Sequence, residues 1–161
     1  MKNKYLFLSI VAIPLIVLDQ ATKLIIVRTM DLHAIIPLIR NFFDIVHARN
    51  QGAAFGVLRD SSIRLPFLIG VSLLAAVVIV IVFRKLRPDQ KLSAWGLSLV
   101  LSGAVGNLID RIRFGEVVDF LSVHWHEHYW PAFNVADSAI CIGVGLLVLD
   151  MILEEKRKKK A

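Results

Sequence analysis

Apolar residues fall in four long runs, separated by segments that collect most of the polar and charged positions. The runs cover residues 5–27, 65–83, 92–109 and 133–153. A hydrocarbon layer about 30 Å thick takes about 20 helical residues to cross, and each run is near that length. The pattern predicts four membrane-spanning helices, with one domain over 1–161 and no internal repeat. The second run carries no charge. In the third, Ser98, Ser102 and Gly106 recur every fourth residue, a spacing of small side chains that lets helices approach closely. A cleavable leader is the competing reading of the first run, because Lys2 and Lys4 precede it. No small-x-small cleavage site follows, and the apolar pattern continues past Asp19, which favours a retained span.

Composition agrees. The chain has 161 residues, 57% of them hydrophobic and 20% charged, with a mean hydropathy of +0.67. That excludes a disordered chain and argues against a water-soluble domain. A single cysteine, Cys141, excludes an intrachain disulfide framework. The net charge of +6 could suggest nucleic acid, but no basic patch is interleaved with stacking aromatics. Instead the positive residues sort by side. Lys2 and Lys4, then Arg84, Lys85, Arg87 and Lys91, then the run 156–160 all fall on one face if four spans alternate. Positively charged loops stay in the cytoplasm. Both termini and the 84–91 link are therefore expected inside, in contact with anionic lipid, with 28–64 and 110–132 outside. Segment 28–64 is rich in β-formers, and a short sheet or cradle on the membrane surface is expected there.

Ionisable groups at membrane depth are costly and mark candidate sites. Asp19 and Lys23 lie four apart in the first run and fit either a self-neutralised pair or a clamp on a neighbouring loop. Asn107, Asp110 and Arg111 share one helical face at the end of the third run; they fit a polar helix end or a scaffold for a substrate backbone. Asp119, in a short apolar run, fits a salt bridge to Arg111 or Arg113 when read alone. Asn134 and Asp137 fit a helix cap. The alternative is that Asp137 points toward Asp119 at the same depth, two carboxylates sharing one proton and able to hydrolyse a peptide through water. His124, His126 and His128 alternate, so a strand would put them on one face and a metal-dependent hydrolase is conceivable. The aromatic belt of Trp125, Tyr129 and Trp130 at the headgroups is the preferred reading of that segment. A non-enzymatic transporter or scaffold is the other alternative; a transporter would carry its charges at the midplane instead of at one boundary.

The polar positions together resemble the bacterial lipoprotein signal peptidases, signal peptidase II. The resemblance rests on Asp19-Gln20-Ala21-Thr22-Lys23, on Asn50-Gln51-Gly52-Ala53-Ala54-Phe55-Gly56, on Gly106-Asn107-Leu108-Ile109-Asp110-Arg111 with Gly115-Glu116-Val117-Val118-Asp119-Phe120, and on Phe133-Asn134-Val135-Ala136-Asp137. It implies an all-α membrane protein of four transmembrane helices with a small periplasmic β-cradle, in the bacterial inner membrane. It implies an aspartic endopeptidase that cuts prolipoproteins before a cysteine carrying a diacylglyceryl group. Asp119 and Asp137 are the implied catalytic pair. Asn50, Gly52, Asn107, Asp110, Arg111, Asn134, Asp19 and Lys23 are the implied supporting or substrate-binding residues. Globomycin-type inhibitors are implied too, and no metal or other cofactor is expected.

Overall fold

The computed structural model describes residues 3–52 and 63–159. Ala53, Ala54, Phe55 and Gly56 of the second motif lie outside them. Among the described residues, four helices are long and apolar enough to cross a membrane. They are α1 (Lys4–Thr29), α2 (Arg64–Lys85), α3 (Lys91–Phe114) and α4 (Val135–Lys158). Four strands form one antiparallel sheet in chain order: β1 (Ile35–Ile39), β2 (Phe43–Asn50), β3 (Val117–Trp125) and β4 (His128–Tyr129).

Local chemistry sets the helix ends. Asn3 caps α1 by accepting the Leu6 N–H at 3.0 Å. Gly115 ends α3 in the left-handed region, φ +74°, where its N–H reaches the Arg111 carbonyl at 3.0 Å. α3 thus runs five residues past the expected end at 109, and Asp110, Arg111 and Arg113 are helical. The apolar run ends at Ile109, but helix geometry continues until a residue that tolerates positive φ. At the start of α4, Asn134 and Asp137 form a complete capping box.

α3 is the hub, packing against each of the other three helices and against β3. The small-residue stripe explains its closest crossings. A Cβ on Gly103 would run into the Ala136 carbonyl of α4, and one on Gly106 would lie 2.6 Å from Asp19 Oδ2 of α1. α2 is the opposite case, with 6% of its apolar window buried. Its leucines and valines face where lipid would be.

The sheet is larger than segment 28–64 alone suggests, because β3 comes from the second external segment and pairs with β2. Val118 and Phe120 are buried against Ile26 of α1, with Met30, Ile45 and Val135 around them. Burying such a side chain contributes about 1.5–3 kcal/mol each. That cluster fastens the sheet to the C-terminal part of α1 and the N-terminal end of α4, so β3 is held at that end of the helix bundle.

Candidate active site

Asp119 sits in β3 opposite Ala48, next to a register shift that puts an irregularity in β2 between Ile45 and Ala48. Two amides hold its carboxylate. Asn50 Nδ2 donates to Oδ2 at 2.9 Å and Asn134 Nδ2 to Oδ1 at 2.7 Å. Asn50 is itself fixed, since its Oδ1 accepts the Gly52 N–H at 2.7 Å. That tight turn puts Gly52 at φ +74°. Burial pushes the Asp119 carboxyl up from 3.8 to about 6, and the charge of Asp137 adds to the rise; the amides of Asn50 and Asn134 and the more remote Lys23 oppose it.

Asp137, half-buried, lies in the first turn of α4. Its Oδ1 accepts from Asn107 Nδ2 at 2.7 Å and its Oδ2 from the Asn134 backbone N–H at 3.2 Å. The capping reading is therefore present, with one oxygen capping the helix, and the other oxygen is taken up by Asn107. Asn134 is fully buried and joins the two acids, taking the Asp137 N–H on its Oδ1 at 2.9 Å while its amide serves Asp119. Among the described residues no hydrogen bond runs directly between the two carboxylates. Their coupling is through space and through Asn134.

Behind the pair lies a buried ion cluster. Lys23 Nζ is 2.9 Å from both Asp19 Oδ2 and Asp110 Oδ2, and its third proton reaches Asn107 Oδ1 at 3.1 Å. Asp19 also accepts the Ala136 N–H at 2.9 Å, and Asp110 the Val118 N–H at 3.1 Å. Gln20 Nε2 bridges Asp110, Asp19 and the Gly106 carbonyl. Asp19 and Lys23 are thus more than a self-neutralised pair. One cluster ties α1 to α3, to the start of β3 and to the start of α4, the elements that carry Asp119 and Asp137.

The expected salt bridge of Asp119 to Arg111 or Arg113 does not form. β2 pairing aims Asp119 at Asn50 and Asn134 instead. Arg111 Nη1 is 3.4 Å from both Ser72 Oγ of α2 and the Asn107 carbonyl. Its Nη2 would lie 3.7 Å from a Cβ on Gly52. It stands between α2, α3 and the Asn50–Gly52 turn. Arg113 instead lies over the Phe114 ring and 3.5 Å from Gln20.

The family model described as Signal peptidase (SPase) II matches residues 11–153. The chain belongs to the signal peptidase II family. The lipoprotein signal peptidase of Geobacter sulfurreducens is 59% identical over 98% of this chain and 99% of its own. That of Geobacter metallireducens is 56% identical over 99% of each. A bacterial membrane enzyme solved by the in meso method at 2.3 Å superposes with a TM-score of 0.84 at 32% identity, over 96% of this chain and 93% of that one. As a member of the signal peptidase II family, the chain is a multi-pass membrane protein and an aspartic peptidase that removes signal peptides from prolipoproteins. The transporter or scaffold alternative falls with that membership.

Within this signal peptidase II chain the three alternating histidines do not share a face. His124 ends up buried in β3, His126 makes the turn at φ 53°, and His128 is exposed in β4. His124 stacks on Tyr129 with centroids 4.4 Å apart. Among the described residues no three His, Cys, Asp or Glu side chains gather in a metal-holding group. Two contributors escaped the sequence reading as individuals. Gln20 was visible only as a motif letter beside Asp19. Ser72 is the one hydroxyl in α2, and that isolation in an apolar run was its signal.

Proposed function

We propose that Asp119 and Asp137 are the catalytic pair and that Asn50, Gly52, Asn107, Asp110, Arg111, Asn134, Asp19 and Lys23 hold them or the substrate. The observation that carries this reading is Asn134, which hydrogen-bonds both acids from one buried position. Two acids held this way divide into one acid and one base at a single pH. One carboxylate takes a proton from water as the water oxygen bonds to the scissile carbonyl carbon. The other, protonated, gives its proton to the carbonyl oxygen. When the C–N bond breaks, the leaving nitrogen takes the first proton and the diol returns the second. Arg111 and the Asn50–Gly52 turn line the approach and serve the substrate backbone.

The bond cut is the one before a diacylglyceryl cysteine. Each methylene buried in lipid contributes about 0.8 kcal/mol, so the substrate stays in the bilayer and approaches sideways. The bare apolar face of α2 suits such an approach. Globomycin-type peptides would compete for the same opening. The positive-inside distribution supports an inner-membrane protein with both termini cytoplasmic and the pair near the periplasmic face.

The test uses purified protein and a diacylglyceryl-modified prolipoprotein. Asp119→Asn and Asp137→Asn should each insert normally and lose cleavage by about a thousandfold or more. Asn is itself a good capping residue, so a purely structural Asp137 predicts little loss from Asp137→Asn. Substantial cleavage by either variant overturns the assignment.

A further inference from the structure

We propose that Lys23, acting through the side-chain amide of Asn107, holds the single negative charge of the pair on Asp137, so that Asp137 takes the proton from water and Asp119 begins as the acid. The proposal rests on the pair assignment above and adds a direction to it. Lys23 is a positioning residue here: it is buried and reaches Asp137 only through Asn107.

The donors to the two acids end differently. Asp119 is served by Asn50 and Asn134, and among the described residues the acceptors of those amides meet neutral backbone N–H groups, of Gly52 and Asp137. Asp137 is served by Asn107, whose own oxygen accepts from an ammonium. The orientation of Asn107 is not free. Lys23 Nζ at 3.1 Å and Asn134 Nδ2 at 3.3 Å both donate to one end, so that end is the oxygen. The other end, 2.7 Å from Asp137, is the NH2. A cation on an amide oxygen strengthens the donation by its nitrogen, as linked hydrogen bonds in a low-dielectric site polarise one another. The result favours the ionised form of the acid at the end of the line. Asp137 also lies in the first turn of α4, where the helix end favours an anion.

Other charges face the pair. Arg111 of α3 faces the pair from beside Ser72 and the Asn107 carbonyl. Asp19 of α1 and Asp110 of α3 share the Lys23 ammonium, but each is also held by backbone N–H and by Gln20. The ammonium proton is what reaches Asn107. Lys23 is also felt at Asp119, as the smallest of its influences. Asp119, raised to about 6 chiefly by burial, keeps a proton more readily than an ordinary aspartate.

The experiment is the pH profile of kcat/KM for cleavage of the lipid-modified substrate by the full-length protein. Its acidic limb reports the group that must be ionised. Without Lys23 that ionisation is harder, so in Lys23→Met the limb should move to higher pH by about one unit. If Lys23→Met does not fold, Asn107→Leu leaves the Asp19–Lys23–Asp110 contacts intact and should move the limb the same way. A limb that stays in place while the rate falls, in whichever variant folds, overturns the proposal. Its failure is distinct from that of the pair: an Asp137→Asn protein that still cleaves defeats the assignment, whereas a dead Asp137→Asn with an unmoved limb defeats only the role of Lys23.

Discussion

Two groups of buried polar side chains among the described residues differ in how completely their hydrogen-bonding atoms are used. The cluster between α1 and α3 joins Asp19, Lys23, Asp110, Gln20 and Asn107. Each of the three Lys23 protons has an acceptor there. On the sheet, Asp44 meets His124, and Asp44 and the buried His47 line a cavity of about 480 Å³. His47 Nδ1 meets the Met30 carbonyl at 2.9 Å and His124 Nδ1 the His126 carbonyl at 3.0 Å. Their Nε2 atoms are buried without a hydrogen-bond partner among the described residues. His124 Nε2 does lie 3.1 Å from Asp44 Oδ2, at ion-pair distance but off the axis of a hydrogen bond. A fully used cluster rigidifies what it touches, and the first one touches every element that carries an acid of the pair. The second is confined to the sheet and its approach from α1.

The largest expected effect is on cleavage. The double variant Asp119→Asn/Asp137→Asn should be no slower than either single one, because the two acids act as a unit. A double variant slower than both by the product of the single losses would mean two independent groups, and the contrast between a catalytic boundary and an inert sheet would lose its chemical basis.

Stability separates the clusters next. Lys23→Met leaves Asp19 and Asp110 buried without their cation, at a cost of about 3–5 kcal/mol. His124→Gln removes one hydrogen bond, a misaligned contact and the stack on Tyr129, at a cost of about 1–2 kcal/mol. Thermal unfolding in the same detergent should rank them in that order. Equal losses would mean that the sheet cluster is as tightly built as the other.

The spans were legible because a bilayer turns helix length into apolar run length. The capping box was legible because it is local, four residues apart in sequence. The partners of Asp119 were not. Asn50 lies 69 residues away and reaches Asp119 only through the pairing of β2 with β3, shifted by an irregularity that no periodicity announces. Arg111 looked like the natural counter-ion because it is near in sequence, but α3 turns it toward α2. The motif letters of the family resemblance supplied the set of site residues; hydrogen-bond geometry supplied what each one touches.

The pH dependence of stability sharpens the comparison further. Folded Asp119 keeps its proton up to about 6, whereas in the unfolded chain it ionises near 3.8. Between those values the folded state binds more protons, so stability falls as pH rises through the window and is flat above it. Asp119→Asn removes this dependence. From about pH 4 to about pH 7 the melting temperature of the wild type should drop relative to that of the variant. Parallel curves would show that Asp119 is not buried in the folded protein as described.

The smallest effect should come from the histidines. His124 is committed to a stack on Tyr129 and to Asp44, His126 to a turn, and His128 to the exposed hairpin. None of them touches Asp119, Asp137 or the ion cluster through a hydrogen bond or ion pair among the described residues. Replacing His124, His126 and His128 together with Gln should cost about as much stability as His124→Gln alone, about 1–2 kcal/mol, through the lost stack and hydrogen bond of His124. Cleavage should stay within about threefold of wild type, since a shift in the hairpin reaches Asp119 only along β3, and that strand is fixed near Asp119 by Val118 and Phe120 against Ile26. Chelators should leave both proteins unchanged, because on the proposed assignment the pair carries the water activation itself. Full loss of cleavage in the triple variant at a temperature where it remains folded would join the two clusters into one site and overturn the division drawn between them.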